Sequence, residues 1–98
     1  MNLDIPAERI AGFCRKWSID ELSVFGSALR EDFGPDSDVD VLVQLKPEAQ
    51  WDLFDWLDMI AELREIFGRE VDLVAESGLR NPFRRTAIIG SREIVYAA

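Results

Sequence analysis

Residues 25–43 read FGSALREDFGPDSDVDVLV, and this stretch decides the fold. Its second half alternates: Val39, Val41 and Val43 fall on one side of an extended chain, continued by Leu45, with Asp38 and Asp40 on the other. That period of two predicts a strand over Val39–Leu45, stopped by Lys46 and Pro47. Two steps of roughly 3.3 Å put the Cβ atoms of Asp38 and Asp40 about 6.5–7 Å apart on one face. Upstream, Gly26-Ser27 closes a shorter strand candidate, Glu21–Phe25. Ala28–Asp32 then has room for one helical turn before a loop containing Gly34 and Pro35.

Working outward, the periods change. Ile10, Phe13, Cys14 and Trp17 recur at helical spacing, with Pro6 suited to a first turn. Leu53, Trp56, Leu57, Ile60, Leu63 and Phe67 predict a long amphipathic helix with Gly68 as its C-cap. Glu70–Ala75 is a further strand. Asn81-Pro82 reads as an N-cap followed by proline, starting a helix that runs to about Ile89 and ends at Gly90. Glu93–Tyr96 is a last short strand. Helices alternate with strands, which predicts one sheet covered by helices. Connections are short and nothing repeats, so one domain is expected.

Composition excludes several functions. The 98 residues contain no histidine, so no Ser-His-Asp triad or histidine metal ligand exists. The single cysteine, Cys14, excludes a disulfide framework and a CxxC zinc site. Nineteen acidic against eleven basic residues give a net charge of −8, which argues against direct nucleic-acid binding. No apolar run approaches the roughly 20 residues of a membrane span, and the N-terminus does not resemble a signal peptide, so a cytoplasmic protein is expected.

What remains is carboxylate chemistry. Glu31, Asp32, Asp36, Asp38 and Asp40 crowd into residues 31–40, and Asp72 interrupts the apolar run Val71–Val74. Asp32 and Asp36 suit solvated turn or capping positions. Asp72 is harder to dismiss, because aspartate is disfavoured inside strands. If its strand neighbours Val39–Leu45, three carboxylates meet on one face, and a hard cation such as Mg²⁺ relieves their repulsion. An EF-hand reading of Asp36, Asp38 and Asp40 fails, since Val41 takes the glycine position and Pro47 the glutamate position. Gly26 and Ser27 offer a close backbone approach and donors for a phosphate, or a plain turn. Arg30 has two readings, neutralising phosphate charge or pairing with Glu31 or Asp32. Arg80, Arg84 and Arg85 are a solvated face or a contact for a ligand or partner. Trp51, Phe54, Trp56 and Phe67 are expected mainly in core and helix packing, with room for an exposed partner patch.

Gly26-Ser27, ten residues, then Asp38-x-Asp40, followed by Asp72, resembles the signature of the DNA polymerase β-like nucleotidyltransferase superfamily. With its length and its ending, Asn81-Pro82-Phe83 to Ile94-Val95-Tyr96, the chain looks like a minimal nucleotidyltransferase, the antitoxin partner of HEPN-domain toxins. The resemblance implies an α+β (mixed α/β) fold, a small mixed sheet flanked by helices, with residues 1–98 as one domain. It implies that Asp38 and Asp40 hold two Mg²⁺ ions and that Asp72 completes the site. It implies that Gly26 and Ser27, with Arg30, bind the phosphates of ATP, and that AMP passes to a tyrosine hydroxyl of the toxin. Two other readings stay open: an antitoxin acting by binding alone, and a small-molecule nucleotidyltransferase.

Overall fold

The computed structural model describes residues 3–30, 33–34 and 36–98. Helix α1 (Ala7–Lys16) leads to strand β1 (Ile19–Phe25), a 3₁₀ turn (Gly26–Leu29), strand β2 (Val39–Leu45), helix α2 (Leu53–Phe67) and strand β3 (Val71–Ala75). A second 3₁₀ turn (Glu76–Gly78), helix α3 (Pro82–Ser91) and strand β4 (Glu93–Ala97) complete the chain. The strands form one mixed sheet in the order β3-β2-β1-β4. β1 is antiparallel to β2 and β4, while β2 and β3 run parallel, with α2 as the connection between them.

Both faces are covered, unequally. α1 and α2 pack on the face that carries Leu22, Val24, Val39, Val41, Val43 and Leu73; Ile10, Phe13, Met59 and Leu63 complete that core. Cys14 is buried there, and burial pushes its thiol up to about 12, so it behaves as a small apolar side chain. On the other face α3 builds a smaller cluster of Phe25, Leu42, Leu79 and Ile88. The Asp40–Asp72 end of that face stays outside this cluster.

The ends of α2 are written into the sequence. Asp52 and Asp55 form a reciprocal capping box, and Gly68 closes the helix in the left-handed region at φ 69°. Asn81 caps α3 through Oδ1, which accepts from the Phe83 and Arg84 amides. Trp17 and Trp51 meet edge to face at 6.4 Å, and the Trp51 indole donates to the Trp17 carbonyl.

Several expectations need correction. β1 begins at Ile19 rather than Glu21: Ser18 turns the chain at φ 56° directly out of the first helix, and Ile19 is already buried. Pro6, expected in the first turn of α1, is its N-cap, and its carbonyl accepts the first helical bond from the Ile10 amide at 3.0 Å. β3 begins at Val71, the residue after Glu70. Gly90 does not end α3. It avoids positive φ, and Ser91 Oγ donates back to the Ala87 carbonyl at 2.7 Å, so the helix reaches Ser91. The turn after β1 starts at Gly26, earlier than Ala28, and the Asp32 end of that expectation lies outside the described residues.

Phe54 is not core: it is 75% exposed, with Leu53 and Leu57 also largely open. The reason is rotational. At about 100° per residue Phe54 lies roughly 180° around the helix from Leu63, which fixes the inward side. Trp51, Trp56 and Phe67 do pack against the main core.

Candidate active site

The carboxylates arrive through backbone register. In the parallel β2–β3 pair, Asp40 stands opposite Asp72, as Val39 stands opposite Val71 and Val41 opposite Leu73. Valines and leucine face α1 and α2, so both aspartates face the other way, where the sheet is open. Asp38 precedes β2 by one residue and is exposed, as is Asp72, whereas Asp40 is half-buried. The strand prediction and the placement of Asp72 beside Asp40 therefore hold in the structure.

On its other side Asp40 meets the end of β1, in register with Phe25. Gly26 follows at φ 63°, and a Cβ built there would sit 2.4 Å from Asp40 Oδ2. A side chain here would have to displace the Asp40 carboxylate, and the backbone conformation independently favours glycine. The Ser27 amide donates to Asp40 Oδ2 at 3.4 Å. Ser27 Oγ donates to the Asp38 carbonyl at 3.0 Å, with Asp40 Oδ2 as a second acceptor at 3.4 Å. One residue pair thus gathers Asp40 and the Asp38 backbone just before β2 around the turn.

Electrostatics follows from this crowding. Burial raises the Asp40 pKa from its ordinary value, and the charges of Asp72 and Asp38 push the same way. The Ser27 amide and hydroxyl oppose the rise by stabilising the charged form. The donor set is oxygen only, which suits Mg²⁺ and not zinc or copper. Among the described residues no group of three or more His, Cys, Asp and Glu side chains is arranged to hold a metal ion as it stands. The donor types are those of a hard cation, and Asp40 and Asp72 share a register position, but Asp40 Oδ2 is engaged with Ser27.

The remaining predicted residues divide. Arg30 caps the 3₁₀ turn, its amide donating to the Ser27 carbonyl, and its side chain is exposed and partnered. Its suggested partners Glu31 and Asp32 lie outside the described residues. Asp36 is an exposed loop residue. Arg85 is ion-paired with Glu76 at 2.8 Å, while Arg80 and Arg84 are exposed. A cleft of about 440 Å³ borders the Asp38 end, lined by Asp36, Ser37, Asp38, Arg64, Arg69 and Glu70. Arg69, which the sequence reading passed over, reaches the Asp38 loop across this junction. Among the described residues no helix is long and apolar enough to cross a membrane.

Known proteins point the same way. Residues 8–95 match the model of the nucleotidyltransferase domain. The protein adenylyltransferase MntA of Thermococcus cleftensis is 35% identical over 81 residues, 83% of this chain and 77% of that protein. A candidate protein adenylyltransferase from Methanocaldococcus jannaschii is 26% identical over 81 residues, 83% of this chain and 79% of its own. Among solved structures, a candidate minimal nucleotidyltransferase superposes with a TM-score of 0.72 at 29% identity, covering 89% of this chain and 86% of that one. A crystal structure of a toxin–antitoxin with AMP-PNP gives 0.75 at 16% identity, covering 96% and 75%, and so shares the fold.

Proposed function

The chain belongs to the nucleotidyltransferase domain family, and we propose that it is a Mg²⁺-dependent protein adenylyltransferase. Its reaction moves AMP from ATP to a tyrosine hydroxyl of a HEPN-domain ribonuclease toxin and so neutralises the toxin. The observation that carries this reading is the register of Asp40 with Asp72, beside a turn at Gly26 whose left-handed backbone and close approach to Asp40 favour glycine.

The roles follow from position. Asp38 and Asp40 would hold the cations, and Asp72 would complete their ligand set. Bound there, Mg²⁺ neutralises triphosphate charge and acidifies the attacking hydroxyl. Gly26 lets the backbone approach the phosphates. When Asp40 Oδ2 turns outward, the Ser27 amide loses its acceptor and becomes available to a phosphate oxygen, while Ser27 Oγ keeps its bond to the Asp38 carbonyl. Arg30, at the end of the same turn, adds positive charge. The tyrosine oxygen forms a bond to the α-phosphorus as the bond to the bridging oxygen of pyrophosphate breaks. The hydroxyl proton passes to Asp72, and pyrophosphate leaves. With little covalent work for the protein, alignment and charge neutralisation supply the rate.

Size and charge favour a protein acceptor. The sheet and its helices occupy the described residues, leaving no second lobe among them to grip an acceptor, and a net charge of −8 suits a basic partner. The relatives agree: the T. cleftensis relative is named a protein adenylyltransferase. A fold neighbour with a TM-score of 0.61 and 17% identity, covering 94% of this chain and 70% of that one, comes from tri-AMPylated Shewanella oneidensis HEPN toxin in complex with MNT antitoxin. The test is coexpression with a HEPN-domain protein encoded beside it, followed by intact mass measurement of that protein. Whole AMP increments are expected with the wild type and none with the Asp38→Asn/Asp40→Asn double variant. An unmodified partner in a stable complex with the wild type would overturn adenylylation.

One observation favours a second reading, neutralisation by contact alone. Leu53, Phe54 and Leu57 expose 53–75% of their surface on the outer side of α2, an apolar cluster that a partner could cover. That reading predicts that the double variant still protects cells from the toxin.

A further inference from the structure

Arg69 stands between the left-handed Gly68 that ends α2 and Glu70, which leads into β3. Its Nη1 donates to the Gly34 carbonyl at 2.9 Å and to the Ser37 carbonyl at 3.3 Å. Its guanidinium carbon lies 4.5 Å over the ring of Phe33, which is itself buried. The segment it grips is a closed turn: the Ser37 amide donates to the Gly34 carbonyl, and the Gly34 amide to Ser37 Oγ, each at 3.1 Å. Asp38 is the next residue after that turn, and Asp72 lies three residues beyond Arg69. The Val39 amide closes the same junction by donating to the Glu70 carbonyl at 2.9 Å.

One side chain therefore joins the segment that delivers Asp38 to the segment that delivers Asp72. β-Sheet register fixes Asp40 against Asp72, but Asp38 lies outside β2 and has no such constraint. We propose that Arg69 is a positioning residue whose guanidinium clamps Gly34 and Ser37 to the α2–β3 junction and thereby sets Asp38 relative to Asp72 for metal–nucleotide binding. The inference rests on the nucleotidyltransferase reading of the carboxylates. The chemistry asks for arginine specifically. The selective feature is the flat guanidinium lying over the Phe33 ring while one of its nitrogens reaches both carbonyls; lysine offers a point charge with no plane to stack.

The test compares wild type, Arg69→Lys and Arg69→Gln by two readouts. The first is hydrogen exchange at the Gly34 and Ser37 amides, set against the β2 amides Val41 and Val43 as an internal reference. The second is calorimetric binding of AMP-PNP with and without Mg²⁺. Both variants are expected to speed exchange at the two turn amides by about tenfold or more, leaving the β2 amides unchanged. Affinity for AMP-PNP in Mg²⁺ is expected to fall by about tenfold or more, with no change in the weak metal-free binding. Unchanged exchange in Arg69→Gln would overturn the clamp. Full recovery of both readouts by Arg69→Lys would overturn it in favour of a simple counter-charge. Acceleration at Val41 and Val43 as large as in the turn would overturn it in favour of general stability. If the wild type binds no AMP-PNP, the nucleotidyltransferase reading fails on its own, and the exchange ratio alone upholds or overturns the hold on the turn.

Discussion

Strand β2 has two sides with opposite duties. Val39, Val41 and Val43 are fully buried against α1 and α2. The other side carries half-buried Asp40, then Leu42 beneath α3, then exposed Gln44. The first side is dry and closely packed, so its work is stability. The second places a partly desolvated carboxylate beside two more acids, an arrangement that opposes folding and that the proposed cation would relieve. One strand thus pays for its reactive side with its apolar one.

The sharpest way to break this comparison is to damage the dry side. Leu63→Ala, in α2 above the valines and fully buried, should cost about 2–5 kcal/mol in urea unfolding. A loss under about 1 kcal/mol would show that α2 does not seal this face. Next in size is Gly26→Ala, at the rim of the reactive side. Its Cβ meets Asp40 Oδ2 and its φ is left-handed, so about 1–2 kcal/mol of stability should go. Mg²⁺-dependent AMP-PNP binding, followed by calorimetry, should go with it.

Asp40→Asn should act in the opposite sense. Because the folded state raises the Asp40 pKa above its ordinary 3.8, the folded protein binds that proton more tightly than the unfolded chain. Ionised Asp40 therefore weighs against folding, and its cost grows as pH rises from about 3 through the raised value, then stays constant. The variant should melt a few degrees higher than wild type at pH 7, with the gap closing near pH 3, while transfer is abolished. Scanning calorimetry across that range checks it; a lower midpoint at pH 7 would mean that Ser27's bonds outweigh the crowding. The smallest effect belongs to a surface outside both sides: Phe54→Ser should change unfolding free energy by less than about 0.5 kcal/mol.

The sequence made some of this legible, and the reasons are local. Strict alternation located β2 to the residue, and Asp72 stood out as an acid in an apolar run. Gly68 and Asn81-Pro82 marked helix ends by their own backbone chemistry. Phe54 misled because helical spacing gives a period without saying which apolar side turns inward. Ile19 was missed because Asp20 and Glu21 interrupt the alternation of β1. Arg69 was silent because its partners are carbonyls more than thirty residues upstream, a contact that only the β2–β3 pairing creates. The link from the Ser27 amide to Asp40 Oδ2 likewise comes from strand pairing, not from spacing.

The central claim is that the Asp38, Asp40 and Asp72 edge transfers an adenylyl group to protein. The most direct measurement incubates the purified chain and the HEPN-domain protein proposed as its partner with Mg²⁺ and ATP labelled either at the α- or at the γ-phosphorus. The account predicts α-label on the partner, γ-label only in pyrophosphate, and neither on the partner with Asp40→Asn. Label from the γ-position on the partner would mean phosphoryl transfer, and α-label that survives Asp40→Asn would place the chemistry elsewhere; either result contradicts the account.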